Sequence, residues 1–153
     1  LGAIVFGLNQ RYTDILNEHF KNRTVQKEYL CIVVGEPVDA PFSGIINIPI
    51  AEAALPSGQQ RMRCKSRLLL SQCEGNSNNG GNTKRTCNET EAITHYETLA
   101  TSTASCLMKL TLETGKKHQA RVHMSQGLGC PILGDHKFWH HSLIKPQKLP
   151  SDM

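Results

Sequence analysis

Leu112-Glu113-Thr114-Gly115-Lys116-Lys117-His118-Gln119-Ala120-Arg121-Val122-His123, followed shortly by Gly129-Cys130-Pro131-Ile132-Leu133-Gly134-Asp135, is the stretch on which the reading of this chain turns. A generic core has no need of T-G-x-x-H-Q-x-R-x-H and G-x-P-I-L-G-D in that order. Just upstream, residues 92–99 and 105–112 both alternate apolar and polar side chains with little between them, which predicts an antiparallel hairpin. Thr114-Gly115 then turns the chain into a helix predicted over residues 117–126. In it Ala120 and Met124 are neighbours at i, i+4, as are Lys117 and Arg121. A turn over 127–135 and a polar tail with two prolines follow.

Working outward, Ala3-Ile4-Val5-Phe6-Gly7-Leu8 is a short apolar run that predicts a buried strand. Asn9 is an N-cap candidate for a helix in which Tyr12, Ile15, Leu16, His19 and Phe20 recur at helical spacing. Residues 24–35 are rich in β-branched side chains and stop at Gly35, predicting a strand, and residues 44–50 predict a shorter one ended by Pro49. Residues 56–91 are polar apart from Leu68-Leu69-Leu70, and 74–88 is expected to be a flexible loop, low in complexity at its centre. Arg61, Arg63, Lys65 and Arg67 alternate, so a strand would turn all four to one face. That face is either an edge facing a phosphate backbone or a solvated hairpin edge kept from aggregating by charge.

The bulk properties narrow the class. A chain of 153 residues with 39% hydrophobic and 20% charged side chains can fold as one globular domain. The formal charge of +4 is unevenly placed. Residues 109–148 carry seven Lys/Arg against Glu113 and Asp135, and five of the seven histidines, while the rest of the chain is slightly acidic. Such a patch suits a phosphate backbone, and it equally suits a solvated face. The six cysteines show no C-x-x-C spacing and no His partner at zinc-finger spacing, so no metal site is expected. They read as reduced thiols of an intracellular protein, with a small secreted disulfide protein as the rival. No apolar run reaches the length of a membrane span.

The motifs resemble the RluA-type RNA pseudouridine synthases. Phe20, Arg23, Val25, Lys27 and Tyr29 are similar to an F-x-x-R-x-V-x-K-x-Y run of that family. Ile45, Pro49 and Ile50 are similar to its segment ending in P-I, and Ala92, Thr94 and Tyr96 to an A-x-T-x-Y pattern. The H-Q-x-R-x-H and G-x-P-I-L-G-D motifs complete the set. Cys130, His136-Lys137-Phe138 and Pro146-Gln147-Lys148 look most like animal mitochondrial members. Lys stands at 116 where the family commonly has Arg, which weakens bidentate phosphate holding. The family's H-R-L-D-x-x-T-S-G loop would end at Gly2, and Asp14, Asp39, Asp135 and Asp152 do not match its aspartate. The resemblance therefore implies residues 1–153 as a single partial synthase domain, truncated at both ends and inactive alone.

The same resemblance implies an α+β fold with a mixed, mainly antiparallel sheet and flanking helices. It implies isomerisation of uridine in ribosomal or other structured RNA without cofactor or metal, by a protein that is monomeric and mitochondrial rather than cytoplasmic or nuclear. Arg121 would hold the family's aspartate ionised in a water-poor pocket, a task a planar fork suits better than Lys. Tyr29 would stack on the flipped base and stand ready for proton transfer at C5. Without the motifs Arg121 reads as a surface helix Arg and Tyr29 as a core Tyr. Lys116, Lys117 and His118, at a helix start, would meet RNA phosphates. Gln119 and His123 would buttress the turn over 129–135, and Asp135 would brace backbone amides there. The alternative reading is a non-catalytic RNA-binding pseudoenzyme.

Overall fold

A computed structural model describes residues 2–37, 42–55, 57–64, 90–139 and 147. Helix α1 spans Gln10–Lys21 and opens as predicted, with the Asn9 side chain accepting a bond of 3.1 Å from the Tyr12 amide. Six strands follow: β1 Glu28–Val34, β2 Ser43–Asn47, β3 Ile50–Ala54, β4 Gln60–Cys64, β5 Ile93–Thr101 and β6 Ser105–Leu112. Helix α2 is a single turn, Gln119–Val122, continued without a break by a π-helical turn, His123–Gly127.

Strands β1, β6, β5 and β2 pair in that order, and every ladder among the described residues is antiparallel. The predicted hairpin is β5–β6, with Tyr96 opposite Leu110 and Thr98 opposite Met108. Its alternation has a simple cause. Thr94 and Tyr96 of β5, and Cys106, Met108, Leu110 and Leu112 of β6, turn to one face and are buried. There they meet Val33 of β1, Ile46 of β2, Met124 of the π-helical turn and Cys130. A second apolar cluster joins Ile50, Met62 and Cys64 of a β3–β4 hairpin to Ala92, Val122 and Phe138. The two clusters clamp α2 and the π-helical turn between sheet and hairpin. Cys64, Cys106 and Cys130 are buried and Cys31 is half-buried, while Cys73 and Cys87 lie outside the described residues. Burial pushes the Cys31 and Cys130 thiols up to about 11, so they pack as small hydrophobes.

Three expectations are corrected. Ala3-Ile4-Val5-Phe6-Gly7-Leu8 is not a buried strand: Phe6 is 74% and Leu8 92% exposed, and no ladder pairs the run among the described residues. A continuous apolar run carries no partner of its own, so hydrophobicity alone did not settle its place. The helix begins at Gln119 rather than 117, because His118 takes a left-handed conformation (φ 59°) that ends the preceding turn. And β4 is not a row of cations facing solvent: Arg61 is buried, 1% exposed, and Arg63 is half-buried. Lys65, Arg67 and the loop expected over 74–88 lie outside the described residues.

Candidate active site

The helix motif divides its side chains between two surfaces. Gln119 and His123 turn inward. Gln119 is 1% exposed and uses all its hydrogen-bonding capacity. Its amide nitrogen donates to the Ile93 carbonyl (2.9 Å) and to Thr94 Oγ1 (3.0 Å). Its amide oxygen accepts from Thr114 Oγ1 (2.8 Å) and from the Lys116 amide (3.0 Å). His123 Nε2 donates to the Ile48 carbonyl at 3.0 Å, because that oxygen can only accept, and Nδ1 then accepts from the Thr94 hydroxyl at 2.9 Å. Burial holds the His123 pKa below its ordinary value, in keeping with a neutral ring. Contrary to expectation, then, Gln119 and His123 do not buttress the turn over 129–135. They pin α2 to the start of β5 and to the chain between β2 and β3.

The G-x-P-I-L-G-D turn is held by β1 instead. The Val34 amide donates to the Pro131 carbonyl (2.9 Å) and the Leu133 amide to the Ile32 carbonyl (2.8 Å), so the turn lies along the edge of β1. Gly129 and Gly134 both have φ of 79°, where a side chain would be strained, which lets the turn reverse twice in seven residues. Asp135 follows. Its Oδ1 accepts from the amides of Lys137 and Phe138, both at 3.1 Å, the expected bracing of backbone.

Asp135 has a second, stronger partner. Arg121 grips it with a two-pronged fork, Nε to Oδ2 at 2.8 Å and Nη2 to Oδ1 at 2.5 Å. Burial would raise the Asp135 pKa; the Arg121 hydrogen bond and the two amides outweigh it and hold the carboxyl below its ordinary value. The same hydrogen bond raises Arg121. Arg121 Nη1 makes no hydrogen bond among the described residues. The fork therefore anchors the guanidinium and leaves one nitrogen to give.

Around this pair the fold opens a cleft of about 530 Å³, lined by Tyr29, Cys31, Lys116, His118, Arg121 and Asp135 with apolar walls from Leu110, Leu112 and Ile132. Tyr29 enters from β1 opposite Leu110 and is 51% exposed. His118 stands at the rim with its ring 5.4 Å from that of Phe138. Partial burial lowers its pKa, the charges of Lys137, Arg121 and Lys117 lower it further, and the Asp135 charge opposes them, which favours the neutral ring. Lys117 does not join the cleft. Its Nζ lies 3.5 Å from Glu52 of β3, on the exposed side of the hairpin. A residue count cannot foresee this, because adjacent side chains outside a regular helix have no fixed angle between them, and Lys117 precedes the first helical residue, Gln119. Among the described residues no three His, Cys, Asp or Glu side chains converge as metal ligands. No helix among them is long and apolar enough to cross a membrane.

Sequence reasoning missed two participants. Phe138 is buried, with the guanidinium carbons of Arg61 and Arg121 at 4.7 and 4.8 Å from its ring centroid. The signal for Phe138 was its place three residues after Asp135, inside a local turn. Arg61 gave no such signal, since alternating cations read as a solvated face.

Residues 1–126 match the family described as RNA pseudouridylate synthase. The mitochondrial pseudouridylate synthase RPUSD4 of Homo sapiens is 35% identical over 148 residues, which cover 97% of this chain and 38% of that protein. An uncharacterised RNA pseudouridine synthase of Zymomonas mobilis is 31% identical over 140 residues, 92% of this chain and 53% of that one. The structure of human RNA pseudouridylate synthase domain containing 4 superposes with a TM-score of 0.67 at 31% identity, covering 94% of this chain and 49% of that chain. The chain thus spans 38% to 53% of the length of these relatives.

Proposed function

Since the chain belongs to the RNA pseudouridylate synthase family, we propose that the protein it forms part of isomerises uridine to pseudouridine in structured RNA, and that the Tyr29–Arg121 cleft receives the flipped base. The observation that carries this reading is Arg121: tethered through Nε and Nη2 to a buried carboxylate, with Nη1 left unbonded among the described residues at a cleft that Tyr29 also lines. The reaction breaks N1–C1′, turns the base and joins C5 to C1′; the C5 proton leaves and N1 gains one. It needs a carboxylate that is ionised although shielded from water. In this reading that carboxylate is the family's aspartate, which none of these residues matches, and Arg121 Nη1 faces it.

Tyr29 stacks on the base and exchanges the proton at C5. Lys116, at the mouth of the cleft, takes a backbone phosphate. Asp135 acts as a positioning residue: it orients Arg121 and is itself held by the amides of Lys137 and Phe138. A mitochondrial location belongs to the same reading; it is supported by human and mouse relatives that are named as mitochondrial.

Tritium release from RNA labelled at C5 of uridine tests the proposal. The natural protein releases tritium, and Arg121→Lys lowers the single-turnover rate on the order of a hundredfold, since a misplaced partner costs about that much in a closed site. RNA affinity changes far less. If Arg121→Lys reacts at the parental rate and only binds RNA less well, Arg121 is a backbone contact. If the natural protein binds RNA but releases no tritium, it is a pseudoenzyme.

A further inference from the structure

Arg61 poses a problem that the cleft resolves. Its side chain is among the largest fully buried in the protein, at 1% exposure. Nε, Nη1 and Nη2 are all buried and have no hydrogen-bond partner among the described residues. A guanidinium removed from water without a carboxylate is among the costliest groups a core can hold. The β4 register does not require it, for position 61 lies opposite Ala53 and an apolar side chain would serve. What Arg61 does touch is the Phe138 ring, at 4.7 Å, and Arg121 holds the same ring at 4.8 Å. The ring is thus a shared anchor for two guanidiniums, with Lys137 at 6.0 Å as a third cation. The charged groups that bear on Arg61 are Arg63 on its own strand, Arg121 on α2 and Asp135 beyond the turn.

Charge counting gives this arrangement a purpose. Arg121 and Asp135 alone are a closed, neutral pair. A neutral pair at the back of a cleft offers little field to an incoming anion. With Arg61 against the same ring, two guanidiniums stand near one carboxylate, which bonds Arg121 alone of the two, so positive charge is left over beside the cleft. We propose that Arg61 is a positioning residue for the cleft: buried behind Phe138, it supplies the second positive charge that lets Arg121 stay locked to Asp135 and still present net positive charge to a further carboxylate in the cleft. This rests on the uridine-isomerase reading above, which requires that carboxylate to be ionised.

The test is Arg61→Met in the natural protein, with Arg61→Lys beside it. Thermal unfolding is measured together with the pH dependence of tritium release. Replacing an unpaired buried charge by an apolar side chain of similar length leaves the melting temperature equal or higher. Loss of the positive charge moves the acid limb of kcat/KM to higher pH, by on the order of one unit. At a pH below the limb this is about a tenfold loss of rate. Arg61→Lys keeps the charge and moves the limb less. A limb that stays in place in Arg61→Met overturns the inference alone. So does an unfolded Arg61→Met, which would show that the guanidinium holds the core together. A wild-type protein with no turnover at any pH overturns the site reading and this inference with it.

Discussion

Two surfaces of one short helix obey opposite rules. On the inner surface, every polar atom of the Gln119 amide and both ring nitrogens of His123 have partners at 2.8 to 3.0 Å. On the cleft surface, Arg121 keeps one nitrogen unbonded among the described residues and Tyr29 stands half exposed. Arg61, buried against the same ring as Arg121, has no hydrogen-bond partner at all among the described residues. The difference separates support from action. Satisfied buried polar groups fix where a helix sits. Groups with capacity to spare, at the edge of water, are where a ligand can be met. The H-Q-x-R-x-H motif holds both kinds because a 3.6-residue period sends its second and last side chains inward and its fourth outward.

The sharpest way to break that contrast is Gln119→Ala. It strips partners from Thr94, Thr114, the Ile93 carbonyl and the Lys116 amide together. Each buried group left without a bond costs about 1–3 kcal/mol, so a total of roughly 3 kcal/mol or more is expected. In a domain of this size that lowers the melting temperature by roughly 10 °C. Tyr29→Phe, across the cleft, stays within about 0.5 kcal/mol of the parent. Thermal unfolding of both variants decides it. Equal losses would mean that the two surfaces do not differ in kind.

A middle-sized effect sharpens the picture through pH. His123 is buried and its pKa is held below the ordinary 6.5. Unfolding therefore takes up a proton there once the pH drops below 6.5. The stability tied to its neutral ring is fully present above that value and is lost as the pH falls toward the lower, folded one. The slope is at most about 1.4 kcal/mol per pH unit. His118, also lowered, adds a slope of the same sign. Asp135, whose carboxyl is lowered from 3.8, contributes only further down, where it too becomes protonated. Urea unfolding between pH 7.5 and 5 should show the slope in the parent and most of it gone in His123→Gln. A parent with flat stability over that range would mean the ring is not held neutral.

Patterns carried by local physics were legible in the sequence. The β5–β6 hairpin, β1 and β2 could be read because alternation and β-branched runs report which face of a strand is buried. Asn9 could be read as a cap because its side chain answers a backbone amide three residues on. Tyr29, Arg121 and Asp135 were found through a motif, and the turn along the edge of β1 shows how residues so far apart come to line one cleft. What stayed hidden depended on distant partners. The β3–β4 hairpin has few large apolar side chains of its own, and Ile50, Met62 and Cys64 pack with Phe138 and Val122. Arg61 looked solvated because alternation ranks a cation as surface, whereas in the fold it is buried with its guanidinium against the Phe138 ring.

The smallest effect separates two adjacent lysines. By sequence Lys116 and Lys117 were equal candidates for RNA phosphate. The structure sends Lys116 to the cleft and leaves Lys117 3.5 Å from Glu52, with both of the latter pair largely in water. An exposed pair of that kind contributes at most about 1 kcal/mol, so Lys117→Ala should barely alter folding. If Lys116 alone meets a phosphate, Lys116→Ala lowers the slope of log affinity against log salt by roughly 0.7 to 0.9, the release of one counterion, while Lys117→Ala leaves it in place. Filter binding of a structured RNA over a salt series measures both slopes. A matching drop in Lys117→Ala would mean that RNA displaces Glu52 and that the basic surface runs past the cleft onto the hairpin. The cleft would then be one end of a longer RNA track, and the division between the two sides of this helix would stop at the protein's surface.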